Sequence, residues 1–248
     1  MRARIEEWVR LGDTVTSCLL LDNTAKDAGD FVEVGGEPVV EKVIESLGLK
    51  RLKFLSEKFE TKFSYSINDF FRTNNCGVSF FDSEMPFFNN KIIKCDFKIE
   101  TLKEIELPVI DSCKERITSF QFDSRTTSET KQRLGRSESL SFLRRHSRYA
   151  PVGVGGVDTK KELPYPYRLG DLESVVKAIS ESSQFVGVDS GMSHLAGVMG
   201  VPSSIYIMFK HERDVRATEK FYRMFYPSTK CFSDFSEDGG RMPTLRIF

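Results

Sequence analysis

Phe185-Val-Gly-Val-Asp189-Ser190-Gly191-Met-Ser193-His194 sets an aspartate, two serines, a glycine and a histidine directly behind a short apolar run. The run reads as a strand buried on both faces, as in the middle of a parallel sheet. A glycine just past such a strand lets the backbone approach a ligand closely. The first turn of a following helix offers N–H groups without intrahelical partners at the positive end of its dipole, which suits an anion. Ser190 and Ser193 add hydroxyl donors, and His194 adds an imidazole N–H. Together they would hold a phosphate or pyrophosphate. The same residues can also form a plain turn with an Asp or Ser N-cap and a half-buried histidine, and spacing alone leaves both readings open.

The elements that must position these residues follow from the surrounding pattern. After the strand Phe185–Val188 the spacing predicts a short helix over 192–199 and a strand over 204–208. Upstream, ITSFQF (117–122) reads as a strand, and the polar DSRTTSETK after it as a turn entering a helix. A strand from about 148 ends in Gly155-Gly156. Residues 169–180 are amphipathic, with Leu172, Val175, Val176 and Ile179 on one face. The first third alternates as well: a strand over 4–9, a break at Gly12-Asp13, a helix over 14–27, and a strand over 31–34. A helix over 38–47 follows, with Pro38 in its first turn and Gly48 after its end, and then a strand over 51–55. Such β-α-β alternation predicts parallel sheets. Residues 63–100 are Phe-rich and resist placement. The expected organisation is an N-terminal, acceptor-side unit over 1–110, a nucleotide-binding unit over 111–235, and a tail over 236–248.

DSGMSHLAGVMGVP (189–202) resembles the signature of the heptosyltransferase-type glycosyltransferases, family nine. In that family a strand ends in Asp-(Thr/Ser)-Gly, two residues and a His follow, and an aliphatic-Gly-aliphatic-Pro turn closes the motif. Leu11-Gly12-Asp13-Thr14-Val15 is similar to the Gly-Asp that opens the family's first helix. The resemblance implies a GT-B-like α/β fold of two Rossmann-like lobes facing a cleft, with the N-terminal lobe shortened. It implies transfer of a sugar from a nucleotide-diphosphate sugar to an acceptor hydroxyl, without a metal or other cofactor. In that scheme Asp13 is the general base, although it could instead cap a helix. Ser190, Gly191 and His194 cradle the diphosphate, and Arg125 and Lys131 neutralise it. Gly155 and Gly156, at a strand end, would make room for the nucleoside; Asp158 could accept its hydroxyls or be a plain turn aspartate before Thr159, and Asp189 is placed at the same site. A surface polysaccharide or lipopolysaccharide would be the acceptor.

Bulk properties narrow the alternatives. The 248 residues carry 36 Lys+Arg and 36 Asp+Glu, so neither a nucleic acid nor a membrane surface is the default partner. One local cluster, Lys131, Arg133, Arg136, Arg144, Arg145 and Arg148, could still meet an anionic acceptor, including a hydroxylated base in DNA. A nucleotide-binding relative without turnover is the non-enzymatic alternative. The five cysteines have no CxxC spacing, which argues against a zinc site. Their odd number, with no secretory leader, leads to the expectation of a cytoplasmic protein. The Phe-rich stretch 70–88 could line an acceptor pocket or simply fill core.

Overall fold

The computed structural model describes residues 1–7, 9–57, 59–70, 90–99, 102, 104–110, 114–123, 134–209 and 212–234. The chain divides into two compact units, Met1–Ile110 and Asp111–Phe248.

In the first unit, β1 (Arg2–Ile5), α1 (Leu11–Ala28), β2 (Val32–Gly35), α2 (Pro38–Leu47) and β3 (Leu52–Phe54) alternate. Parallel pairing joins β1 to β2 and β2 to β3. Pro38 at the first helical turn and Gly48 at φ 60° bound α2, and Val40, Val43, Ile44 and Leu47 bury one stripe of it. α1 is buried from Thr14 to Ala25. Its polar residues survive there by bonding back to the helix: Thr16 Oγ1 donates to Gly12 O at 2.9 Å and Thr24 Oγ1 to Leu20 O at 2.9 Å. Buried Asp22 accepts from the Arg51 backbone N and from Arg51 Nη1, both at 3.1 Å.

Two boundaries differ from the sequence expectation. β1 stops at Ile5, and α1 already begins at Leu11 with Arg10 as its N-cap. Both the N–H and the hydroxyl of Thr14 donate to Arg10 O, at 2.8 and 3.0 Å, which carries the helix one turn further back. Gly12 and Asp13 therefore lie inside the first turn and form no break. The unplaced Phe-rich region contributes β4 (Phe63–Tyr65), a 3-10 turn at Ile67–Phe70 and β5 (Ile93–Cys95). β5 returns antiparallel beside β1, and β4 pairs antiparallel with β5. The sheet order β3-β2-β1-β5-β4 is thus mixed, parallel on one side of β1 and antiparallel on the other.

The second unit is a six-stranded parallel sheet, ordered β11-β10-β9-β6-β7-β8. Its elements are β6 (Glu115–Gln121), α3 (Arg136–His146), β7 (Ala150–Gly156), β8 (Tyr167–Gly170), α4 (Leu172–Ser180), β9 (Ser182–Val188), α5 (Gly191–Val198), β10 (Ser203–Ile207), α6 (Glu212–Phe225) and β11 (Thr229–Ser233). The phenylalanines supply much of one core face. Phe120, Phe122 and Phe142 pack with Leu143, Val186, Val188 and Tyr206, and Phe142 meets Phe122 and Tyr206 edge-on at 6.3 and 5.3 Å. Among the described residues no helix is long and apolar enough to cross a membrane.

Candidate functional site

The second sheet has one topological switch point. From β6 the chain builds outward through β7 and β8, then returns to the other side of β6 with β9 and continues through β10 and β11. In open parallel sheets the ligand crevice lies at the carboxyl ends of the two strands that flank such a reversal. Here those ends are Gln121 of β6 and Val188 of β9, followed by Asp189-Ser190-Gly191. Ser190 Oγ donates to Gln121 Oε1 at 3.0 Å, bridging the two strand ends.

Ser190 is the N-cap of α5 in extended conformation, and Ser190 and Ser193 form a reciprocal capping box. Ser193 N donates to Ser190 Oγ at 3.4 Å, and Ser190 N donates to Ser193 Oγ at 2.8 Å. The first helical bond runs from His194 N to Ser190 O. Among the described residues nothing accepts from the backbone N–H of Gly191 or Met192. These two first-turn donors, at the positive end of the helix, are what the turn offers an anion.

The side chains around the turn are tied inward by α6. Tyr222 Oη donates to Asp189 Oδ1 at 2.7 Å and lies 2.6 Å from Ser193 Oγ. His194 Nδ1 stands 3.1 Å from Tyr226 Oη, and its Nε2 faces Asp189 Oδ1 at 3.6 Å. Phe221, Tyr222 and Tyr226 box the imidazole, with ring centroids 5.4–5.7 Å away. The imidazole is thus fixed in orientation, with Nδ1 turned to the Tyr226 hydroxyl and Nε2 turned to the carboxylate. Burial, and then the Asp189 charge, push the Tyr222 phenol well above its usual range. Burial, followed by Glu219 and Asp189, pushes the Cys231 thiol up to about 12.

At the end of β7, Thr159 N donates to Gly156 O at 2.9 Å, which closes a tight turn through Val157 and Asp158. A Cβ on Gly155 would run into the Thr159 side chain, and one on Gly156 would meet Asp158 Oδ1 at 3.2 Å. The two glycines accommodate the chain's own turn. On the same edge, a cavity of about 710 Å³ opens between the start of α3 and the loop after β7, lined by Arg136, Lys161, Glu162 and Pro164 among others.

The remaining expected residues fall in several places. Asp13 is half-buried in the first turn of α1, in the first unit. Arg125, Lys131 and Arg133 lie outside the described residues, as do 71–88 of the Phe-rich stretch and the tail 236–248. Phe70 is fully buried. The basic cluster is split by α3. Arg136 begins the helix at the carboxyl edge of the sheet, while Arg144 and Arg145 lie in its last turn and Arg148 just past its C-cap, Ser147. Arg148 N donates to Gln184 Oε1 at 2.9 Å, in the amino half of β9, and Tyr149 N to Thr118 Oγ1 at 3.3 Å, in the middle of β6. Five residues of β9, about 17 Å, separate Gln184, which Arg148 bonds, from Asp189.

No family model and no curated protein matches the sequence. Solved structures do. The heptosyltransferase WaaC of E. coli, solved with ADP, superposes with a TM-score of 0.55 at 12% identity, covering 99% of this chain and 96% of that one. A glycosyl transferase family 9 protein from Veillonella parvula gives 0.51 at 11% identity, over 95% and 88% of the two chains. The dodecameric iron-containing heptosyltransferase TibC, in complex with ADP-D-β-D-heptose, gives 0.52 at 15% identity over 96% of this chain and 63% of its own. The fold is GT-B-like. It resembles that of the heptosyltransferase-type glycosyltransferases, as the 189–202 motif implied, and at these identities the likeness is one of fold.

Tyr222 and Tyr226 escaped the sequence reading. Their signal was present in the apolar and aromatic positions 215, 221, 222 and 225, which follow a helical period.

Proposed function

We propose that the protein is a glycosyltransferase that moves a sugar from a nucleoside diphosphate sugar to an acceptor hydroxyl. The observation that carries this is the Asp189-Ser190-Gly191 turn at the switch point, where two backbone N–H groups at a helix start have no partner among the described residues. ADP and an ADP-heptose, the molecules named with structures of the same fold, are the first donors to try.

In this reading the acceptor oxygen attacks the anomeric carbon, and the bond from that carbon to the diphosphate oxygen breaks. Asp13 takes the acceptor proton. The diphosphate leaves with its negative charge met by the N–H groups of Gly191 and Met192 and by the α5 dipole. Arg125 and Lys131 follow β6 and would add positive charge there. Ser190 and His194 act chiefly by fixing the turn, since the hydroxyl is bonded to Gln121 and the imidazole is held between Tyr226 and Asp189. Asp189 keeps Oδ2 as an acceptor for a donor hydroxyl, and Gly155, Gly156 and Asp158 border the nucleoside. No metal is required in this scheme. The acceptor is a glycan or lipid-linked glycan of a surface polysaccharide or lipopolysaccharide, and the work is cytoplasmic. A DNA acceptor is disfavoured because Arg144, Arg145 and Arg148 gather at the far end of α3 from Arg136, away from the carboxyl edge of the sheet.

The second reading, nucleotide binding without turnover, draws on one observation: the side chains of Ser190, Ser193 and His194 are already engaged within the protein. A release assay separates the two. The protein is incubated with ADP-, UDP- and GDP-sugars, with and without glycan acceptors, and free nucleoside diphosphate is followed over time. Acceptor-dependent release supports the transferase. Saturable binding with no release across the panel supports the second reading, and no binding of any nucleoside diphosphate refutes both.

A further inference from the structure

We propose that Tyr222 of α6 is the positioning residue that sets the anion-binding turn, through a one-way chain of hydrogen bonds ending on Asp189; this rests on the diphosphate reading of that turn. Proton accounting gives the direction. A carboxylate only accepts, so the single phenolic proton of Tyr222 is spent on Asp189 Oδ1, 2.7 Å away. Ser193 Oγ, 2.6 Å from the same phenol, is the group with a proton to give in that contact, and it shares this one proton with Ser190 O, also at 2.6 Å. Ser193 Oγ in turn accepts from Ser190 N at 2.8 Å. With the Ser193 proton turned to the phenol, the chain runs Ser190 N–H to Ser193 O–H to Tyr222 O–H to Asp189 carboxylate.

Its two ends are neighbours in sequence, Asp189 and Ser190. Tyr222 thus clamps both sides of the peptide that leads into Gly191, from a buried position 33 residues away. The competing bond from Ser193 Oγ to Ser190 O, at 2.6 Å, stays within the capping box and does not reach the carboxylate. With the Tyr222 hydroxyl present, the Ser193 proton has a second acceptor and the turn is tied to Asp189. Without it, the capping box closes on itself and Asp189 is left with His194 at 3.6 Å, beyond hydrogen-bond distance. The Gly191 and Met192 N–H groups then lose their fixed direction. Tyr226 works beside this chain and holds His194 from the other nitrogen.

The test uses the full chain with Tyr222→Phe, titrated with a nucleoside diphosphate and with the corresponding nucleoside. Tyr222→Phe keeps the ring and removes the hydroxyl. The expected result is a loss of diphosphate affinity of about ten-fold or more, the worth of a hydrogen bond to a charged group, with nucleoside affinity unchanged. Ser193→Ala cuts the chain one link earlier and is expected to show the same selective loss; it decides the matter if Tyr222→Phe does not fold. Unchanged diphosphate affinity overturns the assignment. So does an equal loss for diphosphate and nucleoside, which would mark general loosening. If the native protein binds neither nucleoside diphosphates nor pyrophosphate, the diphosphate reading itself falls; loss of selectivity in the variants alone leaves that reading standing.

Discussion

Gly197→Ala tests the packing that holds His194 in place. Gly197 is inside α5, where Ala would ordinarily gain about 1 kcal/mol in helix propensity. Here a Cβ would stand 2.9 Å from Tyr226 Cβ and closer still to the ring. Those atoms cannot step aside cheaply. Tyr226 is fully buried, its N–H donates to Tyr222 O at 2.7 Å, and its hydroxyl is engaged with His194. Overpacking of this kind costs about 1–3 kcal/mol, and losing the His194 contact adds about 1 kcal/mol. Set against the propensity gain, the net expectation is a destabilisation of about 1–3 kcal/mol. At roughly 2–4 °C per kcal/mol for a chain of this size, the melting temperature should fall by roughly 2–12 °C. Thermal melts of native, Gly197→Ala, Tyr226→Ala and the double variant provide the assay. Ala removes the ring atoms from Cγ outward, which are the ones closest to the added Cβ, so the double variant should lose less than the two single losses combined. A Gly197→Ala protein as stable as native, or strict additivity in the double, would refute the close-approach argument.

Asp13→Asn should leave the melting temperature and donor affinity near native while turnover falls about 10²–10⁴-fold, as loss of a general base requires; native turnover in the variant removes Asp13 from the mechanism. Burial, and then Arg145, lower the pKa of His146, whose ring lies against Phe142 and Phe232 at 4.3 and 4.2 Å. The folded state therefore favours the neutral ring, and the unfolded chain binds more protons between the lowered value and about 6.5. That contribution is complete above about pH 6.5 and is lost as pH falls through the window, so the melting temperature of native relative to His146→Phe should drop between pH 7.5 and 5. Burial, and then Asp96, raise the Cys95 thiol to about 12, while Cys231 sits equally high. Mass-spectrometric mapping after brief iodoacetamide treatment at pH 7.5 should find both unmodified in the native protein and modified in urea.

What could be read from sequence was what local chemistry fixes. Pro38 and Gly48 punctuate α2 at the residues where it starts and stops. The apolar run before Asp189 ends where β9 ends. α1 was misread at its start because Gly12-Asp13 looks like a break, and only the tertiary burial of Thr14–Ala25 carries the helix past it. The amphipathic stretch 169–180 takes in Leu169 and Gly170, which end β8, since YRLG is too short to show a period; the boundary is Asp171, which caps α4 by accepting from Ser174 N. The Asp-Ser-Gly turn was legible as the junction of a buried strand and a helix start. Its inward ties were not, because Tyr222 meets Asp189 only once β9, α5 and α6 are packed together.

The reversal of strand order around β6 also shapes how the second unit is made. β6 pairs on one side with β7, about thirty residues later, but on the other with β9, where Thr118 meets Gln184 across 66 residues. During synthesis one edge of the central strand must wait, apolar and unpaired, until residue 188 has emerged. Distant parallel pairings of this kind form slowly, and an open edge invites pairing with other chains. A chain cut short between β7 and β9 would therefore keep that edge permanently open and be prone to aggregate. Growth past Val188 closes the edge, and the same event brings the Asp189 turn up against Gln121. Closure of the β6 edge and the approach of the Asp189 turn to Gln121 are a single step, with β10, α6 and β11 added after it.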